Sequence, residues 1–86
     1  MYNLIIQPTA DKVFSKLAKK DKEQLKRINA KIGQILENPY HFKPLRKPLD
    51  GYRRAHIGSF VIVFEIDEDS KIISIYDYDH HDSIYK

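Results

Sequence analysis

The sequence predicts an α+β domain in which a helical hairpin packs on one face of a mostly antiparallel four-stranded sheet. Three observations lead there. Apolar residues recur at helical spacing in two successive stretches between Thr9 and Asn38, the period changes to strand-like runs from Tyr52 onward, and a short apolar run, Tyr2 to Gln7, precedes the first helix. The resulting order is β-α-α-β-β-β, with the second face of the sheet left partly open.

Each element follows from local chemistry. Tyr2 to Gln7 is apolar and β-branched and is stopped by Pro8, as a first strand would be. Thr9 can cap a helix whose inner stripe is Val13, Phe14, Leu17 and Ala18. A second helix starts at Asp21 with Leu25, Ile28, Ile32, Ile35 and Leu36 on its apolar stripe, and Lys22, Lys26, Arg27 and Lys31 largely outside it. It ends near Asn38, because Pro39 disfavours helix in the residue before it. The stretch YHFKPLRKPLDG, residues 40–51, carries two prolines and a terminal glycine and reads as a connection lying over the surface. YRRAHI, FVIVFEID and KIISIYDY are then three strands, separated by Gly58-Ser59 and by the acidic turn from Asp67 to Ser70. Gly58 suits the positive φ of a tight hairpin, so the three strands form an antiparallel meander.

A chain of 86 residues is one domain, spanning 1–86, with a single hydrophobic core and no volume for a large buried cavity. Any site is expected as a shallow surface groove. The absence of cysteine removes disulfide scaffolds and thiol nucleophiles. MYNLIIQ is too short for a membrane span and lacks the basic flank of a secretory signal, so a cytoplasmic location is expected. Charge is polarised along the chain. Residues 1–50 hold 11 Lys and Arg against 5 Asp and Glu, net +6, while residues 51–86 hold 4 against 7, net −3. A basic half is the footprint expected of phosphate binding, although lysine-rich helices are also simply soluble.

Two stretches hold candidate chemistry. Alternation along residues 52–57 puts Tyr52, Arg54 and His56 on one face and Arg53, Ala55 and Ile57 on the other. That polar, ring-bearing face is either a solvated strand surface or one wall of a site. The closing DYDHHDSIYK permits three readings by residue type: a metal cluster of Asp79, His80, His81 and Asp82, a solvated acidic tail, or the working end of an enzyme. Neighbours in an extended tail project in opposite directions, so the run offers no compact ligand set, and neither a metal nor another cofactor is expected.

The element order, the stretch GYRRAHIGSFVIVFEID and the ending HHDSIY resemble the RelE/ParE toxin superfamily, specifically its messenger-RNA-cleaving members. The resemblance covers essentially the whole chain. It is greatest to the histidine-using branch typified by YafQ, in which a strand histidine follows a Tyr-Arg-x-small sequence, as His56 follows Arg53-Arg54-Ala55. The tail of that branch carries a histidine four residues before a terminal aromatic, as His81 precedes Tyr85. The chain also departs from the family pattern. Val61 stands where the central strand arginine is usual, Ser59 stands in place of an acidic residue, and Lys43 stands where that branch has a histidine, with His41 nearby.

The resemblance implies a toxin of a type II toxin–antitoxin system that cleaves messenger RNA on the ribosome and is neutralised by a small cognate antitoxin protein. It implies His81, His56, Arg54 and Tyr85 as catalytic residues, with Lys43, Arg46, Lys47 and Arg53 binding RNA phosphates. Cleavage through the 2′-hydroxyl needs a base for that proton, an acid for the departing 5′-oxygen and fixed positive charge on the phosphate. Histidine can serve as either base or acid near neutral pH. His81 is then the acid or the base, His56 its partner or a phosphate ligand, and Tyr85 a ring for stacking or orienting a nucleotide. Other members of the fold inhibit DNA gyrase, and a catalytically inert antitoxin-binding protein is the remaining alternative.

Overall fold

The computed structural model describes residues 1–85. In chain order these form β1 (Asn3–Ile6), α1 (Pro8–Lys20), α2 (Lys22–Glu37), a 3-10 turn (Pro39–His41), β2 (Arg53–Ile57), β3 (Phe60–Asp67), β4 (Ile72–His80) and a short terminal helix, α3 (His81–Ile84). The sheet order is β1-β4-β3-β2. β2, β3 and β4 form the antiparallel meander, and β1 joins parallel to β4 at one edge. The α+β class and mostly antiparallel sheet agree with the sequence expectation. The terminal helix adds to it.

Helix boundaries follow backbone chemistry. α1 begins two residues earlier than a Thr9 cap implies, because Gln7 is extended and Pro8 fills the first helical position, where its missing N–H costs nothing. Asp21, where the second helix was expected to start, is its N-cap, the carboxylate accepting from the Gln24 N–H at 3.1 Å. Ala10, Phe14, Ile28, Ile32 and Ile35 bury the inner faces of the hairpin against Ala55, Ile57, Ile62, Phe64, Ile73, Ile75 and Tyr78 of the sheet. Ala18, expected on the inner stripe of α1, is exposed, and Ala10 is buried in its stead.

β4 contains the one irregularity that decides a face. Its register runs Phe64↔Ile75 and then Val63↔Asp77, which leaves Tyr76 as an extra residue. Strict alternation from Ile73 and Ile75 would send Asp77 into the core. The bulge shifts the phase by one, so Tyr78 enters the core while Asp77 and Asp79 turn to the other face. Buried Tyr78 packs against Phe60 with ring centroids 5.3 Å apart, and its hydroxyl accepts from Gln24 Nε2 at 2.9 Å.

The second face of the sheet is only partly open, because the connector folds across it. Leu45 packs on Val61 and Val63, with Leu49, Tyr52 and Ile84 closing round them in a small second core. Val61 is fully buried there. An arginine at this position would have its charge buried under the connector, a cost that valine does not carry. Gly58, with φ of 59°, opens the two-residue loop between β2 and β3 as the sequence predicts.

Candidate functional site

The site is built on β2, the sheet edge beside the connector. Ala55 and Ile57 point into the main core, which forces Arg54 and His56 onto the opposite face. Arg54 is oriented by the end of the chain: its Nη1 donates to the Tyr85 hydroxyl at 3.0 Å, and its guanidinium carbon lies 5.6 Å from the Tyr85 ring centroid. Tyr85 is 40% exposed, so much of the ring remains open to a planar ligand.

Two adjoining grooves meet at Arg54. The larger, of about 560 Å³, runs between connector and tail and is lined by Lys43, Arg46, Lys47, Leu49, Ile84 and Tyr85, with Arg54 at its edge. The smaller, of about 290 Å³, is lined by His41, Phe42, Lys43, Arg54 and His56. Lys43 and Arg54 line both grooves and form the cationic ridge between them. The connector reaches β2 through two backbone contacts: the Arg54 N–H donates to the Lys43 carbonyl at 3.1 Å, and the Leu45 N–H to the Tyr52 carbonyl at 2.8 Å. Basic residues distant in sequence are thereby set on one surface.

Arg53 is directed elsewhere. Its Nη1 donates to the Phe42 carbonyl at 2.7 Å and its guanidinium lies over the Tyr40 ring at 5.1 Å, so it fastens the connector and lines neither groove. Alternation along β2, which separates it from Arg54, explains the difference.

His56 titrates below the usual imidazole range. Partial burial is the main cause, and the nearby charges of Arg54, His81 and Lys31 act in the same direction. The neutral ring, able to accept a proton, is therefore favoured. Lys31 is a neighbour that sequence reasoning did not include. It lies one turn along α2 from Arg27, whose guanidinium reaches the Gly58 loop, 3.9 Å from where a side chain at Gly58 would begin. Spacing alone places Lys31 and Arg27 on one helix face, but only the packing of α2 beside β2 brings that face to His56.

The tail differs from its expected extended form. The His81 N–H donates to the Ser59 carbonyl at 2.9 Å, and the Tyr85 N–H donates to the His81 carbonyl at 3.0 Å, turning residues 81–84 into one helical turn. His80 caps that turn, its Nδ1 accepting from the Asp82 N–H at 3.2 Å, and Ile84 anchors it on the second core. This turn brings Tyr85 to Arg54. It also gathers His80, His81 and Asp82, whose ligand-type atoms all lie within 4.8 Å of one another, correcting the expectation that these neighbours point apart. His81 lines neither groove and stands beside them at the β2–β3 loop.

No helix among the described residues is long and apolar enough to cross a membrane. A family model described as the ParE toxin of type II toxin–antitoxin systems, parDE, matches residues 4–85. The RelE4 protein of Methanocaldococcus jannaschii is 49% identical, over 100% of this chain and 93% of its own length. Among solved structures, the toxin–antitoxin complex RelBE2 of Mycobacterium tuberculosis matches with a TM-score of 0.80 and 26% identity, covering 92% of this chain and 96% of that one. YafQ from E. coli matches over 100% of both chains with a TM-score of 0.76 and 16% identity, a likeness of fold. The continuous β-α-α-β-β-β chain, matched from end to end, belongs to the ParE toxin family of type II toxin–antitoxin systems, within the RelE/ParE superfamily.

Proposed function

We propose that this toxin is an endoribonuclease that cuts messenger RNA on the ribosome by imidazole acid/base chemistry through the 2′-hydroxyl. The observation that carries the reading is the cationic ridge of Lys43 and Arg54, with Tyr85 in the groove on one side and His56 in the groove on the other. A phosphodiester laid across that ridge puts a nucleotide in each groove. Arg54 and Lys43 then hold the non-bridging oxygens as they gain charge, while Arg46 and Lys47 extend the phosphate path and Tyr85 offers a stacking face.

His56, favoured in its neutral form, removes the 2′-hydroxyl proton as that oxygen attacks phosphorus. The bond from phosphorus to the 5′-oxygen breaks, and His81 delivers a proton to the leaving oxygen. The products are a 2′,3′-cyclic phosphate and a 5′-hydroxyl. Grooves this open on an 86-residue chain leave substrate alignment to a larger scaffold, which the ribosome supplies. The antitoxin partner is supported by the fold's likeness to chains solved in toxin–antitoxin complexes, including RelBE2 of Mycobacterium tuberculosis. An acidic antitoxin segment would match the basic groove in charge.

The family model, described as ParE, favours a second reading, a toxin directed at DNA gyrase. Controlled expression separates the two. The nuclease produces new transcript ends that disappear in His56→Ala and His81→Ala proteins, whereas the gyrase-directed toxin produces DNA breaks with transcripts intact.

A further inference from the structure

The helical turn that ends the chain does more than position Tyr85. Asp82 Oδ1 lies 3.4 Å from His81 Nε2, and Asp82 Oδ2 lies 3.6 Å from His80 Nδ1. Two ligand atoms each bound to one tetrahedral ion at about 2.1 Å stand about 3.4 Å apart. Each imidazole nitrogen is therefore already about that far from one oxygen of the Asp82 carboxylate, and one ligand atom from each of the three residues lies within 4.8 Å of the others. A bland alternative is that Asp82 merely pairs with two protonated rings. The His80 ring argues against it: its Nδ1 already accepts the Asp82 N–H, so that nitrogen is engaged through its lone pair. At 3.2 Å the bond is long, and a metal ion can displace it.

We propose that His80, His81 and Asp82 form a binding site for a borderline divalent transition-metal ion, Zn²⁺ or Ni²⁺, and that its occupation silences the adjoining groove. Two imidazole nitrogens and one carboxylate oxygen suit these ions and are a poor match for Mg²⁺ or Ca²⁺, which take all-oxygen shells. Three protein ligands leave room for water in the coordination sphere. The three side chains are 40%, 46% and 79% exposed, so the ion exchanges with solvent, as a regulatory ion does and a structural one does not. Binding needs no other part of the account. Silencing rests on the nuclease reading: the ion takes the lone pair of His81 that proton transfer requires, and sets a dication beside His56.

The test begins with the purified full chain and the metal alone. Zn²⁺, and Ni²⁺ in parallel, are titrated in competition with a chromophoric chelator. The expected result is one equivalent per chain, with His80→Ala and Asp82→Ala each weakening binding about tenfold or more and His41→Ala leaving it unchanged. These substitutions are on exposed side chains, and thermal melts verify that the variants are folded. Sub-stoichiometric binding, or binding indifferent to both substitutions, overturns the site. In a translation extract, Zn²⁺ then suppresses cleavage by the wild type, a zinc-selective chelator restores it, and His80→Ala goes on cutting at the same Zn²⁺ concentration. Stimulation by Zn²⁺, or equal suppression of His80→Ala, overturns the silencing. Stoichiometric, triad-dependent binding to a metal-free protein that cuts no transcript refutes the nuclease reading and the silencing with it, and supports the site.

Discussion

At the scale of single residues, Arg54 joins the two grooves, and its partner Tyr85 fixes its direction. Arg54→Ala is expected to lower cleavage about 100-fold, the usual cost of removing one preorganised charge from a transition state. Tyr85→Phe, which keeps the ring and loses only the acceptor for Arg54, is expected to cost far less than Tyr85→Ala. Quantifying transcript ends across the three variants in one translation extract tests the ordering. His56 supplies a prediction in pH. Its folded-state pKa is lowered, by burial first and then by Arg54, His81 and Lys31, so the unfolded chain binds the proton more readily. The stability it contributes is complete above the ordinary imidazole value of about 6.5 and declines as the pH falls below it. Lys31→Gln is expected to raise the His56 pKa towards the ordinary value, which an NMR titration of the ring measures directly. Lys31 was beyond the reach of the sequence because its role depends on which face of α2 meets β2, whereas the placement of Arg54 and His56 on one face follows from alternation alone.

Among the elements, β4 and the terminal turn show where sequence patterning stops. The three strands of the meander, the hairpin at Gly58 and the apolar stripes of both long helices were legible because each is a local period or a local steric preference. The bulge at Tyr76 was not, since nothing in IISIYDYDH marks which residue is left unpaired, and the phase of everything after it depends on that one position. The terminal turn was hidden for a related reason: its carbonyl partner, on Ser59, lies in the β2–β3 loop and its apolar anchor, Val61 and Val63, lies on β3. Tyr78 is the residue through which the bulge is felt. Tyr78→Phe, losing the bond from Gln24, is expected to cost about 1 kcal/mol. Tyr78→Ala, which empties a core position packed by Phe14 and Phe60, is expected to cost about 3–5 kcal/mol. Urea unfolding of the two variants distinguishes the hydroxyl from the ring.

Across the whole molecule, the two ends of the sheet are held differently. At the end away from the grooves, Glu68 accepts from Tyr2 at 2.6 Å and from Tyr40 at 2.8 Å and also pairs with Lys71, tying together the first strand, the start of the connector and the β3–β4 turn. Bonds from Lys71, Tyr2 and Tyr40 hold its pKa at about 2, and the bond to Glu68 pushes Tyr2 up to about 12. The carboxylate's contribution is full above its ordinary value, about 4.5, and is lost as the pH falls towards 2. The contribution of Tyr2 is full below about 10 and is lost as the pH rises towards 12. The cluster is solvent-exposed and screened, so Glu68→Gln is expected to lower Tm at pH 7 by only a few degrees, with cleavage unchanged. At the other end, connector, strand edge and terminal turn converge on the grooves, and the central claim about them is chemical: the RNA's own 2′-hydroxyl is the nucleophile. The direct test is a message carrying a single 2′-deoxynucleotide immediately 5′ of a mapped cut, translated with the toxin beside the all-ribose message. The account predicts that the ribose message is cut there, leaving a 2′,3′-cyclic phosphate, and that the deoxy message is not. Equal cutting of both messages, or no cutting of either, would contradict it.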